Sequence, residues 1–155
     1  MEYCEFGNLY DLLKTQKKFD PDISLNFISQ ILNGYFTLDK LNIIHRDLKP
    51  QNIFVTKNQT NQIILKLGDF GIGKQSEQTQ SKIGTVCYMA PEMVEKIDNK
   101  YNKKIDIWAL GCILLELLTG KKFFNGIDKN DVIKNILNFD FKKIQENFKS
   151  FLMVF

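Results

Sequence analysis

The chain has 155 residues, enough for one domain with a sizeable core, and its 44% hydrophobic and 25% charged residues are ordinary for a soluble globular protein. Its net charge of +3 comes from scattered lysines and a single arginine, which gives no basic face for nucleic acid or an anionic membrane. Cys4, Cys87 and Cys112 are odd in number and far apart, so they lend no support to a disulfide framework or zinc site and fit reduced thiols inside a cell.

Met1-Glu2-Tyr3-Cys4-Glu5 is acidic where a signal peptide would be basic, so the expected location is intracellular, cytoplasmic or nuclear, and not secreted. Gly7-Asn8 ahead of Leu9, Leu12 and Leu13 predicts a short helix capped by Asn8. Asp20-Pro21 is a stronger start, a cap residue followed by proline at the first helical position. Ile28, Ile31, Leu32, Tyr35 and Leu38 recur at helical spacing and predict a long amphipathic helix to about Asn42. Ile53-Phe54-Val55 and Ile63-Ile64-Leu65-Lys66-Leu67 are β-rich runs joined by polar residues 56–62, which predicts a hairpin. Residues 72–89 lack periodicity and carry Ser, Thr, Gln and Gly, so they read as an exposed loop.

Ile105 to Thr119 is apolar nearly all round and runs into Gly120, as a buried helix with a glycine cap would. Its longest apolar stretch, Ile105 to Leu118, is broken by Asp106 and Glu116 and is shorter than the about 20 residues of a membrane span. Asp128 and Asp131, with Val132, Ile133, Ile136 and Leu137, predict one more short amphipathic helix. The expected fold is mainly α with a small β-hairpin, in one unit without repeats.

The only histidine and the only arginine are adjacent, in His45-Arg46-Asp47-Leu48-Lys49-Pro50-Gln51-Asn52. Asp69-Phe70-Gly71 begins twenty-two residues after Asp47, and Ala90-Pro91-Glu92 follows. Each string alone has an ordinary explanation: a surface ion pair, a turn, a cap. Eight consecutive residues followed in order by two further strings remove it. Together they resemble the catalytic loop, magnesium loop and activation-segment end of a eukaryotic protein kinase. The wording Leu67-Gly68-Asp69-Phe70-Gly71-Ile72, with Asp106-Ile107-Trp108-Ala109-Leu110-Gly111-Cys112, is most similar to NimA-related kinases.

Phosphoryl transfer asks a protein for positioning and charge neutralisation more than for covalent chemistry. The resemblance implies an ATP- and magnesium-dependent transfer of the γ-phosphate to serine or threonine of a protein substrate. It makes Asp47 the group that accepts the hydroxyl proton and Lys49 the cation on the transferring phosphoryl group. Asn52 and Asp69 become the magnesium ligands, oxygen donors as that hard cation requires. Thr85 resembles the threonine that hydrogen-bonds the catalytic aspartate and lysine. His45 matches a packed structural position, and Asp106 a buried anchor of the catalytic-loop backbone. Arg46 matches an arginine that pairs with a phosphate on the activation loop, with Ser81 as the site an upstream kinase would modify.

The same resemblance reads residues 1–155 as a partial kinase domain, from the hinge to the start of a late helix of the C-terminal lobe. The N-lobe and final helices would be absent, leaving the fold incomplete at both ends. Glu2 and Cys4 would then bind adenine through their backbone, Asn8 would lie near the ribose, and Phe54 would floor the base. An apolar face through Phe148, Phe151, Leu152 and Phe155 would be left uncovered, and Glu92 would lack its usual arginine. The long connection at 56–62 accounts for the wide spacing from Asp47 to Asp69. A second reading is a catalytically inactive lobe that acts as a binding or decoy module. Intact Asp47, Lys49, Asn52 and Asp69 favour the enzyme for the parent protein.

Overall fold

The computed structural model of the protein describes residues 4–68, 83–95 and 101–140. Leu9–Gln16 forms α1 and Pro21–Lys40 forms α2, followed by a 3₁₀ turn at Pro50–Asn52. The strands β1 (Ile53–Lys57) and β2 (Ile63–Leu67) come next, then α3 (Ile83–Val86), α4 (Pro91–Glu95), α5 (Lys104–Thr119) and α6 (Lys129–Leu137). No described helix is long and apolar enough to cross a membrane.

Local chemistry sets most of these boundaries. The Asn8 side chain accepts the Asp11 N–H at 3.1 Å and caps α1 as its sequence predicts. Asp128 caps α6 in the same way, accepting from Asn130 and Asp131 at 2.8 and 3.0 Å. Asp20 holds the cap position of α2 with Pro21 next, but its carboxyl makes no capping bond. The fixed φ of proline and the main-chain bond from Ser24 N–H to Asp20 C=O (2.9 Å) begin that helix instead. α2 stops at Lys40, short of the expected Asn42, whose φ of +54° is left-handed and cannot continue a right-handed helix.

The hairpin is antiparallel, with Ile53 opposite Leu67 and Lys57 opposite Ile63. Ile53 and Val55 face the core, and Phe54 lies half-buried on the other face, the alternation a strand imposes. At the turn, the Asn58 side-chain oxygen accepts from Thr60 N–H, Thr60 O–H and Gln62 N–H at 3.0, 2.8 and 2.9 Å, which orders the polar connection. α2 lies along β2 and closes its outer edge. The Gln30 amide accepts from Leu65 N–H at 2.9 Å and donates to Ile63 C=O at 3.3 Å, imitating a neighbouring strand. Gln30→Ala should therefore cost about 1–3 kcal/mol, seen as a lower denaturation midpoint of the protein carrying this domain. An unchanged midpoint would mean that water replaces the amide freely.

α5 is buried along most of its length, including Ile105, Leu110, Ile113 and Leu117. It ends at Gly120, whose φ is +71° and whose missing side chain matters, since a Cβ there would lie 2.3 Å from the Lys17 carbonyl oxygen. The Phe19 N–H bonds to Leu117 C=O at 2.9 Å, so the end of α5 is fastened to the α1–α2 connection. Trp108 stacks on Phe124 with ring centroids 5.5 Å apart, and Phe139 meets both rings edge-on, joining α5 to the segment around α6.

Two elements depart from the sequence reading. Within the stretch read as an exposed loop, residues 83–86 form the helical turn α3, and Val86, Cys87 and Tyr88 are buried. The polar composition of the preceding residues hid this short apolar anchor. α4 begins at Pro91, a proline at the first helical position that the sequence reading used only as part of a motif. Residues 72–82 of that stretch lie outside the described residues, as do Glu2, Asp69, Ser81 and the apolar positions at 148–155.

Candidate active site

The loop between α2 and the 3₁₀ turn is held from below by α5. Asp106, 1% exposed, accepts His45 N–H at 2.8 Å and Arg46 N–H at 2.9 Å, one on each carboxylate oxygen. Burial holds the Asp106 carboxyl above the usual carboxylate range, and these two main-chain donors lower it only in part. Arg46 sits at φ +68°, a left-handed conformation that costs a non-glycine residue on the order of 1–3 kcal/mol. The two bonds to Asp106, at its own N–H and at that of His45, hold the backbone leading into it. Tyr35 reaches the same junction from α2, donating to the Lys103 carbonyl at 3.3 Å. Its phenol is pushed up to about 12, first by burial and then by the Asp106 charge.

His45 is fully buried, and its ring bridges two motifs. A carbonyl can only accept, so the contact of Nε2 with Gly68 C=O at 3.2 Å is a donation from Nε2–H. Nδ1 is then free to accept the Asp47 N–H at 3.4 Å. The packed role expected of His45 is the one its geometry supports. Gly68 N–H bonds to Asn52 C=O at 3.0 Å, so the residue preceding Asp69 is tied to the loop at both its polar groups.

Above this base four side chains converge. Lys49 Nζ donates to both Asp47 carboxylate oxygens, at 2.9 and 2.8 Å, and contacts Thr85 Oγ1 at 3.3 Å. Both charged side chains are mostly buried, 15% exposed for Lys49 and 11% for Asp47, so the pair is strengthened by low dielectric and by bidentate geometry. Asn52 is 5% exposed and gives both amide hydrogens to Asp47, one to the carbonyl at 2.7 Å and one to the carboxylate at 3.0 Å. Its Oδ1 accepts nothing among the described residues and is left as an oxygen ligand. Thr85 was expected here from its place after Gly84, and α3 brings it over the thirty-six positions that separate it from Lys49.

Of the residues assigned to the adenosine part of a nucleotide, Asn8 and Phe54 meet at the outer edge of β1. Phe6 N–H bonds to Val55 C=O at 3.3 Å, Val55 N–H to Gly7 C=O at 3.0 Å, and Asn8 pairs with Phe54 in an isolated antiparallel bridge. This stitching sets half-buried Asn8 and Phe54 side by side, with half-buried Cys4 just before it in the chain. The Oδ1 of Asn8 is engaged as the α1 cap, so only its amide hydrogens remain for a ligand.

One pair escaped the sequence reading. Tyr88 O–H donates to Glu116 Oε2 at 2.5 Å, with both residues buried, fastening the segment after Thr85 to α5. The signal was present, because a second charge in an apolar helix needs a partner. Burial raises the Glu116 carboxyl, while Tyr88 and Lys122 lower it in part. With its folded value above its unfolded one, this group's contribution to stability is complete below the ordinary carboxylate range and is lost as pH rises through the raised value. Glu116→Gln keeps an acceptor for Tyr88 without that titration. Its stability relative to the parent should improve between acidic and neutral pH, and a difference independent of pH would refute the shift.

Against known proteins, the family model described as the protein kinase domain matches residues 1–152. The chain is 41% identical over 131 residues to the serine/threonine-protein kinase Nek9 of Mus musculus, covering 81% of this chain and 13% of that protein. It is 38% identical over 154 residues to Nek1 of Mus musculus, covering 96% of this chain and 12% of that protein. It is 36% identical over 156 residues to calcium-dependent protein kinase 4 of Plasmodium falciparum (isolate 3D7), covering 94% of this chain and 29% of that protein. The chain thus spans between 12% and 29% of the length of these relatives, and the resemblance to NimA-related kinases is borne out by Nek9 and Nek1. With a match that runs from the first residue to beyond the last described helix, this chain belongs to the protein kinase family.

Proposed function

We propose that this chain provides the large catalytic lobe of a protein serine/threonine kinase, from the hinge to a late helix, acting on ATP and a protein substrate. The observation that carries this reading is the convergence of Asp47, Lys49, Asn52 and Thr85 on a loop anchored by Asp106. Asp47 accepts the proton of the attacking hydroxyl and aims its oxygen along the line of transfer. Lys49 already touches both oxygens of Asp47 and can share its charge with the transferring phosphoryl group. Thr85 keeps the lysine in place from the other side.

Magnesium would be held by Asn52 Oδ1 and Asp69, where its charge offsets that of the nucleotide phosphates. The hard oxygen of Asn52, unpaired among the described residues, fits that demand. Glu2 and Cys4 would present backbone groups to adenine, Asn8 an amide hydrogen to the ribose, and Phe54 a floor to the base. Arg46 is exposed and makes no ion pair among the described residues, which suits it to receive a phosphate on Ser81 added by an upstream kinase.

The test is phosphoamino-acid analysis of a generic protein acceptor incubated with the full-length parent protein and magnesium-ATP. Phosphoserine or phosphothreonine is expected. Phosphotyrosine alone, or no transfer by a protein that binds ATP, would contradict the proposal.

A further inference from the structure

We propose that Gly68 and Phe54 act as one specificity device at the nucleotide site: the missing side chain at 68 sets how deep the Phe54 ring sits, and so how much room a base has above it. This rests on the reading of Phe54 as the floor beneath adenine. A Cβ built on Gly68 would lie 2.4 Å from Phe54 Cε2 and 2.6 Å from Cδ2. Carbon atoms are comfortable at about 3.5–4.0 Å. The edge of the ring therefore occupies the place that any side chain at 68 would fill.

Neither backbone can retreat. Gly68 is tied at its N–H to Asn52 C=O (3.0 Å) and at its C=O to His45 Nε2 (3.2 Å), and His45 is fully buried. Phe54 is held between strand partners, paired with Lys66 on one side and bridged to Asn8 on the other. Only the ring can yield. The inner face of β1 is filled by Ile53 and Val55, 0% and 2% exposed, so the ring must yield on the outer face, where the base would lie. Gly68 is in this sense a positioning residue that acts through the ring. A larger residue at 68 narrows the adenine site without altering Asp47, Lys49 or Thr85.

A double-mutant cycle on the full-length parent kinase tests this, reading KM for ATP and kcat separately. Gly68→Ala overpacks the contact and should raise KM for ATP about 5–100-fold with kcat nearly unchanged. In a Phe54→Leu background, where the slimmer side chain vacates the contact, the same Gly68→Ala change should have little further effect. Phe54→Leu alone should raise KM modestly, because the aromatic floor is lost. Equal losses from Gly68→Ala in both backgrounds would overturn the coupling and point to damage at neighbouring Asp69. If Phe54→Leu leaves KM unaltered, the floor reading itself fails, and the proposal with it. Should Gly68→Ala not fold, Phe54→Trp overfills the same contact from the other side. It must then raise KM for ATP, and an unchanged KM would overturn the proposal.

Discussion

Asp47→Asn in the parent kinase should lower kcat by about 10²–10⁴-fold while KM for ATP stays close to that of the unaltered enzyme. The carboxylate accepts three hydrogen bonds, two from Lys49 and one from Asn52, and the Asp47 backbone carbonyl accepts a fourth from the same Asn52 amide. An asparagine keeps the shape of that cluster and can still accept from Asn52. It cannot take a proton from a hydroxyl, and it leaves the mostly buried Lys49 ammonium without its counter-charge. The loss should therefore fall on the chemical step. Asn8 and Phe54, proposed to meet the nucleotide, are fastened to each other at the β1 border independently of Asp47, which is why affinity should persist. A variant that lost ATP affinity and kept its turnover would place Asp47 in binding instead.

The second large effect is expected at Asp106, which anchors the loop from beneath. Asp106→Ala removes two charge-assisted acceptors for main-chain N–H groups, each worth about 1.5–3 kcal/mol. The direct cost is then roughly 3–6 kcal/mol of stability, a large share of what a domain possesses. The strained φ of Arg46 also loses its support, so the loop should relax and Asp47 should drift from its partners. Asp106→Asn is the finer probe. Its carbonyl oxygen can serve one N–H, but its amide group would confront the other, so it should be destabilised less than the alanine variant and still be slow. Chemical denaturation and kcat measured side by side distinguish the outcomes. Stability near that of the unaltered protein in Asp106→Ala would mean that water or the loop itself satisfies His45 and Arg46 N–H.

Much of this architecture was legible in the residues. Asn8 and Asp128 announced their helices because a short side-chain oxygen before an apolar repeat has one obvious use, accepting from the first turn. Gly120 marked the end of α5, and the structure adds why only glycine serves there, with Lys17 C=O against the missing Cβ. His45, Asp47, Lys49 and Asn52 are close in sequence, so their clustering was readable from a single string. Thr85 and Asp106 were legible only through family likeness, since no local pattern says that residues so far away will close on the loop. α3 and the Tyr88–Glu116 bond were not foreseen. Short helical turns carry too few residues for a period, and a long-range hydrogen bond leaves no trace in spacing. Gln30 was equally silent, a polar residue on an amphipathic helix that proves to be the edge partner of β2.

If Asp47 and its partners carry out phosphoryl transfer to serine or threonine, as proposed, their role lies in the chemical step. That role is tested most directly by single-turnover transfer of the γ-phosphate from magnesium-ATP to a protein acceptor, with the parent kinase and its Asp47→Asn variant both saturated with nucleotide. Rapid phosphoserine or phosphothreonine formation by the parent is expected, with a rate about 10²–10⁴-fold lower in the variant and loss of transfer when magnesium is chelated. Equal single-turnover rates for the two proteins would contradict the proposal.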